Sequence, residues 1–209
     1  MTNQVTLIDV GTGNLRSVQK ALESLGACVN LTSNPEVLLR SRRHILPGVG
    51  AFGDFMHGLR ERGLESPIRE MIQRGDYLLG ICVGMQALFE VSEEMGEHHG
   101  LGLLPGKVIR FPDFPDRKVP HTGWNQLAIQ SKSPLLVGIS TGDFAYFNHT
   151  YYCQPEDSKQ VLTTTEYGHP FASAIHSENF YGVQFHPEKS QRTGLQVLKN
   201  FLSLGQTSP

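Results

Sequence analysis

The run Tyr77 to Ile81 is apolar and uncharged, and it leads directly into Cys82-Val83-Gly84-Met85-Gln86. It is short enough for a strand, and a strand that is apolar on both faces belongs in a parallel sheet covered by helices. The spacing Gly80-x-Cys82-x-Gly84 then has the shape of the nucleophile elbow, G-x-S-x-G, with cysteine in place of serine. An elbow demands a strand, a sharp turn and a helix in that order, with the central side chain pointing out above the sheet. A chain with this feature is constrained to an α/β architecture.

The surrounding sequence agrees. Val5 to Val10 reads as a strand ending in Gly11-Thr12-Gly13-Asn14; Asn14 is the expected N-cap of a helix carrying Leu15, Val18, Leu22 and Leu25 at three- and four-residue spacing. Ala27 to Leu31 is a second strand, Asn34-Pro35 opens a short helix, and His44-Ile45-Leu46 runs into Pro47-Gly48-Val49-Gly50. Two helical stretches follow, the second opened by Ser66-Pro67. Strands alternating with helices imply right-handed parallel crossovers. From Lys107 to Phe185 the strand-like pieces crowd together, and Val161 to Thr165, Phe171 to Ser177 and Phe180 to Phe185 read as added antiparallel strands. A last helix carries Leu195, Leu198, Phe201 and Leu202.

At 209 residues, with no repeat or linker, one domain spanning 1–209 is expected. Hydrophobic residues make up 39% and charged residues 18%, and no twenty-residue apolar run occurs, which excludes disorder and a membrane-spanning helix. Residues Met1 to Val10 lack the basic start and apolar stretch of a signal peptide, so a cytoplasmic protein is expected. A net charge of -2 argues against a nucleic-acid surface. Three widely spaced cysteines support neither a disulfide framework nor a zinc site. Gly11-Thr12-Gly13 is only half of a dinucleotide fingerprint, so no nucleotide cofactor is expected.

Cys82 has two readings. A lone thiol is commonly a buried core residue, but a packed strand gains nothing from glycines at both flanks. Read as a nucleophile, it sits at a helix N-terminus whose partial positive charge favours thiolate, with the Val83 amide free for an oxyanion. A thiolate needs a histidine. Of nine, His186 stands out because Gln184-Phe185-His186-Pro187-Glu188 follows a strand, and residues two apart on extended chain share a side, which would let Glu188 orient the His186 ring. Leu46 to Gly53 is either an ordinary glycine-rich turn or the loop supplying a second oxyanion donor. His98-His99 reads as an exposed loop, while His44, His57, His169 and His176 read as structural or surface residues. Cys28 and Cys153 read as small apolar fillers.

These elements, in this order and over Val5 to about Phe201, resemble the class I (triad) glutamine amidotransferases. The resemblance implies a flavodoxin-like, mostly parallel sheet with helices on both faces and antiparallel strands added in the C-terminal half. It implies a catalytic triad of Cys82, His186 and Glu188, with an oxyanion hole from the backbone of Val83, Val49 and Gly50. Gly50, Gln86, Glu94, Thr150 and Tyr151 match substrate-binding positions, and L-glutamine is the implied substrate. No metal or organic cofactor is implied.

Val119-Pro120-His121-Thr122-Gly123-Trp124-Asn125, Tyr146-Phe147-Asn148-His149-Thr150-Tyr151 and Glu188-Lys189-Ser190 are similar to a narrower branch. Its members pass ammonia to a separate (βα)₈-barrel cyclase in amino-acid biosynthesis, as a heterodimer. Asn14, Arg16, Trp124, Tyr146 and Lys189 match the partner-facing positions; the bland alternative makes Trp124 and Tyr146 core aromatics and Lys189 a solvated side chain. His121 and His149 fall in the same stretches, near the interface or ammonia path.

Asn148 departs from the branch, which usually has an apolar residue there; facing the core, it would need a hydrogen-bond partner. The departure leaves room for a paralogue feeding a different acceptor, such as a sugar-modifying synthase. Two other readings compete: a cysteine hydrolase of a related elbow fold, and a binding subunit with a vestigial triad. Gln86 and His186-Pro187-Glu188 weigh against the first, and the intact triad against the second.

Overall fold

The computed structural model of the chain describes residues 4–205. The ends of the expected 1–209 domain, residues 1–3 and 206–209, lie outside the described residues. The first half runs β1 (Gln4–Ile8), α1 (Leu15–Ser24), β2 (Cys28–Thr32), α2 (Pro35–Leu38), β3 (Arg43–Gly48), α3 (Phe52–Glu61), α4 (Glu65–Gln73), β4 (Tyr77–Cys82) and α5 (Val83–Gln86). The second half contains β5 (Phe89–Ser92), β6 (His98–His99), β7 (Leu104–Arg110), β8 (His121–Gln126), β9 (Ala128–Ile129), β10 (Phe144–His149), β11 (Tyr151–Pro155), β12 (Val161–Glu166), β13 (Pro170–Ser177), β14 (Phe180–Val183) and α6 (Gln191–Ser203).

The main sheet has eight strands in the order β2-β1-β3-β4-β14-β13-β12-β9, parallel from β2 through β14 and antiparallel beyond. Right-handed crossovers put α1 on one face and α2 to α4 on the other. Accordingly α1 contacts α6, and α2 contacts α4. Each helix turns an apolar stripe inward: Val18 and Leu22 from α1, Phe55, Met56 and Leu59 from α3, Ile68 and Met71 from α4, Val197, Leu198 and Phe201 from α6. The strands between them, with Leu7, Ile45, Leu78, Leu79 and Ile81 buried, are the middle layer of a three-layer core.

Several expectations are corrected. Phe180–Val183 is not an added antiparallel strand but joins the parallel core: β13 and β14 form a tight hairpin, Ser177 facing Phe180, so β14 runs alongside β4 with Val183 beside Ile81. The elbow helix α5 is a single turn of four residues, too short to carry much of a macrodipole. Helix α4 begins at Glu65, with Ser66-Pro67 in its first turn. Asn14 makes no side-chain cap on α1. Cys28 is exposed, because β2 is the edge strand of the sheet, whereas Cys153 is buried. His98-His99 is a two-residue strand paired with Val91-Ser92.

Two smaller sheets, not anticipated beyond their strand-like character, sit on this frame: β11-β7-β5-β6 and the pair β10-β8. In β10, Ala145, Phe147 and His149 point inward while Phe144 and Asn148 are exposed. The inward rings pack with Phe111, Tyr152 and Phe171, and His121 stacks on Phe147 at 4.8 Å and on Tyr167 at 4.0 Å.

Candidate active site

Three adjacent parallel strands end together. Gly48, the last residue of β3, pairs with Cys82, the last of β4, and Val183, the last of β14, pairs with Ile81. The chain leaving β3 is Val49-Gly50, the chain leaving β4 is the elbow, and the chain leaving β14 is Gln184-Phe185-His186. All three therefore emerge side by side at the carboxyl edge of the sheet, where open α/β sheets bind their ligands.

Cys82 adopts φ +55° and ψ −112°, a backbone region that costs a residue with a side chain on the order of 1–3 kcal/mol. The flanking glycines serve close approach. A Cβ on Gly84 would stand 1.8 Å from the Leu46 carbonyl oxygen, and one on Gly80 would stand 2.6 Å from the Gly84 carbonyl oxygen. Strand β3, the elbow and β4 are thereby packed backbone to backbone, and this packing holds the cysteine in its strained turn.

His186 Nδ1 bonds Glu188 Oε1 at 3.0 Å, and both side chains are buried. The contact does not come from two residues sharing a side of extended chain. Pro187–Lys189 is a 3₁₀ turn that folds Glu188 back on the ring. Ser190 Oγ donates to the His186 carbonyl at 2.6 Å and accepts from Tyr146 N, while His186 N donates to Tyr146 O at 2.9 Å. The histidine turn is thus clamped to β10. Burial on its own would lower the His186 imidazole; hydrogen bonds to Cys82 and Glu188, with their charges, outweigh it and raise it to about 10. A histidine held between a sulfur and a buried carboxylate is the arrangement of a nucleophile, its proton carrier and an orienting group.

Around this pair lies a cavity of about 240 Å³ lined by Val49, Gly50, Cys82, Val83, Gln86, Glu94, Thr150, Tyr151 and His186, with Pro120, Asn148, His149 and Lys189 completing it. Every expected oxyanion and substrate-binding residue therefore borders one pocket. Val83 opens α5, where an amide has no partner within the helix. Gly50 has φ +89°, which only glycine adopts without strain. Gln86 is buried and donates to Tyr151 O at 3.0 Å and to Gln184 Oε1 at 3.1 Å. Glu94 Oε2 accepts from Phe52 N at 2.7 Å, tying the start of α3, where the Val49-Gly50 loop ends, to the turn after β5.

Of the expected partner-facing residues, Lys189 lines the pocket, and Tyr146 and Trp124 are linked to it through ring contacts. Trp124 and Tyr146 are register partners on β8 and β10, their rings 6.1 Å apart, and Lys189 Nζ lies 5.6 Å from the Tyr146 ring centroid. Trp124 is 46% exposed, so it is no core aromatic. Arg16 is exposed, while Asn14 Nδ2 reaches Glu188 Oε1 at 3.4 Å. Asn148 does not face the core; it is exposed and accepts from Thr122 Oγ1 at 3.1 Å across the β8-β10 pair, so it needs no buried partner.

One site feature escapes the sequence reading. Gln184 was only part of a motif, yet its Nε2 lies 3.6 Å from Cys82 Sγ. The two-residue spacing to His186 was the available signal, since both side chains turn toward the elbow. His149, which lines the pocket, meets the buried His121 at 3.1 Å between Nε2 and Nδ1, both falling in stretches read from the sequence as near the interface or ammonia path; burial lowers His121 to about 4 and His149 to about 3.

The glutamine amidotransferase class-I family profile matches residues 6–204. The imidazole glycerol phosphate synthase subunit HisH of Moorella thermoacetica is 52% identical over 94% of this chain and 93% of its own. That of Aquifex aeolicus is 51% identical over 95% of each. A solved structure titled as a glutamine amidotransferase covers 96% of this chain and 99% of its own with a TM-score of 0.74 at 21% identity, a likeness of fold. The chain belongs to the class-I glutamine amidotransferase family and, within it, to the family of HisH subunits of imidazole glycerol phosphate synthase.

Proposed function

We propose that this chain, as a single catalytic domain, hydrolyses L-glutamine to glutamate and ammonia in the cytoplasm. It passes the ammonia to a separate (βα)₈-barrel cyclase subunit that makes imidazole glycerol phosphate in histidine biosynthesis. The observation that carries the reading is the convergence of Cys82, at φ +55°, and His186 in one cavity, with the buried Glu188 carboxylate bonded to the His186 ring.

The Cys82 thiolate attacks the carboxamide carbon of glutamine, and the oxyanion is held by the backbone amides of Val83 and the Val49-Gly50 loop. His186 gives its proton to the departing ammonia, leaving a glutamyl thioester. His186 then takes a proton from water, whose oxygen displaces the sulfur. Glu188 keeps the ring oriented throughout. Gln86, Glu94, Thr150 and Tyr151 hold the amino-acid end of the substrate. The exposed Trp124 and Lys189 with the half-buried Tyr146, together with Asn14 and Arg16, are the docking face, and the bonds His186 N to Tyr146 O and Tyr146 N to Ser190 Oγ join that face to the catalytic turn.

The test is ammonia release from glutamine by the purified chain, alone and with the cyclase subunit and its ribonucleotide ligand. Strong release in the complex, lost in Cys82→Ala while calorimetric binding to the cyclase persists, is the expected result. No release under either condition refutes the reading.

A further inference from the structure

Gln184 is fully buried, and its side chain ends at the nucleophile. Which end of its carboxamide faces the sulfur follows from an anchor on the opposite wall. The Tyr151 carbonyl oxygen can only accept, and it receives Gln86 Nε2 at 3.0 Å and His149 Nδ1 at 2.8 Å. Gln86 must therefore present its NH₂ group there, and the second N–H of that group reaches Gln184 at 3.1 Å. Only an oxygen can sit at that contact, so Oε1 faces Gln86 and Nε2 faces Cys82 Sγ at 3.6 Å. Flipping Gln184 would set two amide donors against each other and an oxygen lone pair against the sulfur.

The same carbonyl orders the chain on its other side. His149 donates from Nδ1 and so accepts at Nε2; His121 donates to it from Nδ1, and accepts Asn125 Nδ2 at Nε2 over 3.2 Å. The low values of both rings keep them neutral, as this pattern requires. One acceptor thus determines the direction of every hydrogen bond from Asn125 to the sulfur.

We propose that Gln184 holds the Cys82 thiolate, its Nε2–H donating to Sγ from a carboxamide oriented by Gln86 and the Tyr151 carbonyl. The assignment rests on Cys82 being the nucleophile of the proposed reaction and adds a second donor to the sulfur beside His186. The two differ in kind. His186 must release its proton to ammonia, whereas an amide cannot release one and remains a donor through the whole cycle. When water opens the thioester, the C–S bond breaks with its electron pair on sulfur, the water oxygen bonds to carbon, and its proton goes to His186. Gln184 faces the anion that is released.

The test is the pH dependence of Cys82 alkylation by iodoacetamide in the full chain, followed by peptide mass spectrometry so that the exposed Cys28 is scored separately. In Gln184→Met the alkylation midpoint should move up by roughly one pH unit, the size of a hydrogen bond to a charged group. In the complex, kcat for glutamine should fall about tenfold with KM nearly unchanged. Gln184→Glu keeps the shape and the acceptor for Gln86 but turns a carboxylate to the sulfur, so it should move the midpoint further in the same direction. It also supplies the test if the methionine variant fails to fold. Alkylation profiles in folded variants that superimpose on the parent overturn the proposal. Because the reagent reads the thiol, a chain that released no ammonia from glutamine would refute the proposed function and leave this measurement intact.

Discussion

Asn14 Nδ2 donates to Glu188 Oε1 over 3.4 Å, joining residues 174 positions apart in the chain. The same oxygen accepts from His186 Nδ1 at 3.0 Å, and the other carboxylate oxygen, Oε2, is buried with no hydrogen-bond partner among the described residues. The loop after β1 therefore steadies the carboxylate that holds the His186 ring. With the partner saturating, Asn14→Ala should lower kcat by about threefold to tenfold, the span of one ordinary hydrogen bond, with KM for glutamine unchanged. Glu188→Gln should cost more and His186→Ala most, because a positioning group is more replaceable than a proton carrier. Steady-state rates for Asn14→Ala equal to those of the parent would disprove the link.

The strain at Cys82 is measurable without turnover. Replacing it by alanine keeps a Cβ at φ +55°, whereas glycine relieves the turn. Both variants should be inactive, yet Cys82→Gly should be more stable than Cys82→Ala by about 1 kcal/mol in urea unfolding. An alanine variant as stable as the glycine one would mean the elbow is not strained.

Much of this site was legible because its signals are local. The elbow spacing marks Cys82 after an apolar strand, and the motif after β14 marks His186 and Glu188; the structure brings Cys82 and His186 into one cavity with Gln86 and Tyr151 and sets Glu188 against the His186 ring. What was missed depends on strand order and direction, which neither periodicity nor spacing reports. Asn14 has the chemistry of an N-cap, but its partner sits across the sheet. Cys28 has the character of a buried strand residue, but β2 is an edge. Phe180–Val183 reads alike in either direction, and only the hairpin with β13 sets it parallel to β4. The glycines of the elbow were expected to permit a turn, and they instead permit contact between backbones.

That contact yields its own prediction. A methyl group on Gly84 would meet the Leu46 carbonyl oxygen at 1.8 Å, backbone of β3 rather than the end of a side chain that could move aside. Gly84→Ala should cost about 3 kcal/mol or more and displace Cys82, at the upper end of overpacking penalties. Denaturant midpoints check the first part and iodoacetamide labelling the second. A stable, normally labelled variant would show that β3 can retreat from the elbow.

Acid should destabilise the fold well above the range in which carboxylates titrate. Burial holds His44 down to about 4 against the pull of Asp76, and burial holds His121 at about 4 and His149 at about 3. In the unfolded chain each would take its proton near 6.5. Between about pH 6.5 and pH 4 the unfolded state therefore binds more protons. The stability contributed by keeping these rings neutral is intact above 6.5 and lost as pH falls. Each such histidine removes on the order of 1.4 kcal/mol per pH unit in that window. His186 acts with the opposite sign: its value is raised to about 10, so its contribution is complete below 6.5 and fades as pH rises through about 10. Stability should accordingly peak near neutrality. Unfolding free energies from denaturant titrations at pH 7.5, 6.5, 5.5 and 5 should decline along the series below 6.5. His44→Leu, which removes one of the three neutral rings, should decline less steeply. A parent chain whose stability stays flat from pH 7.5 to pH 5 would show that these rings are not kept neutral at the expense of stability.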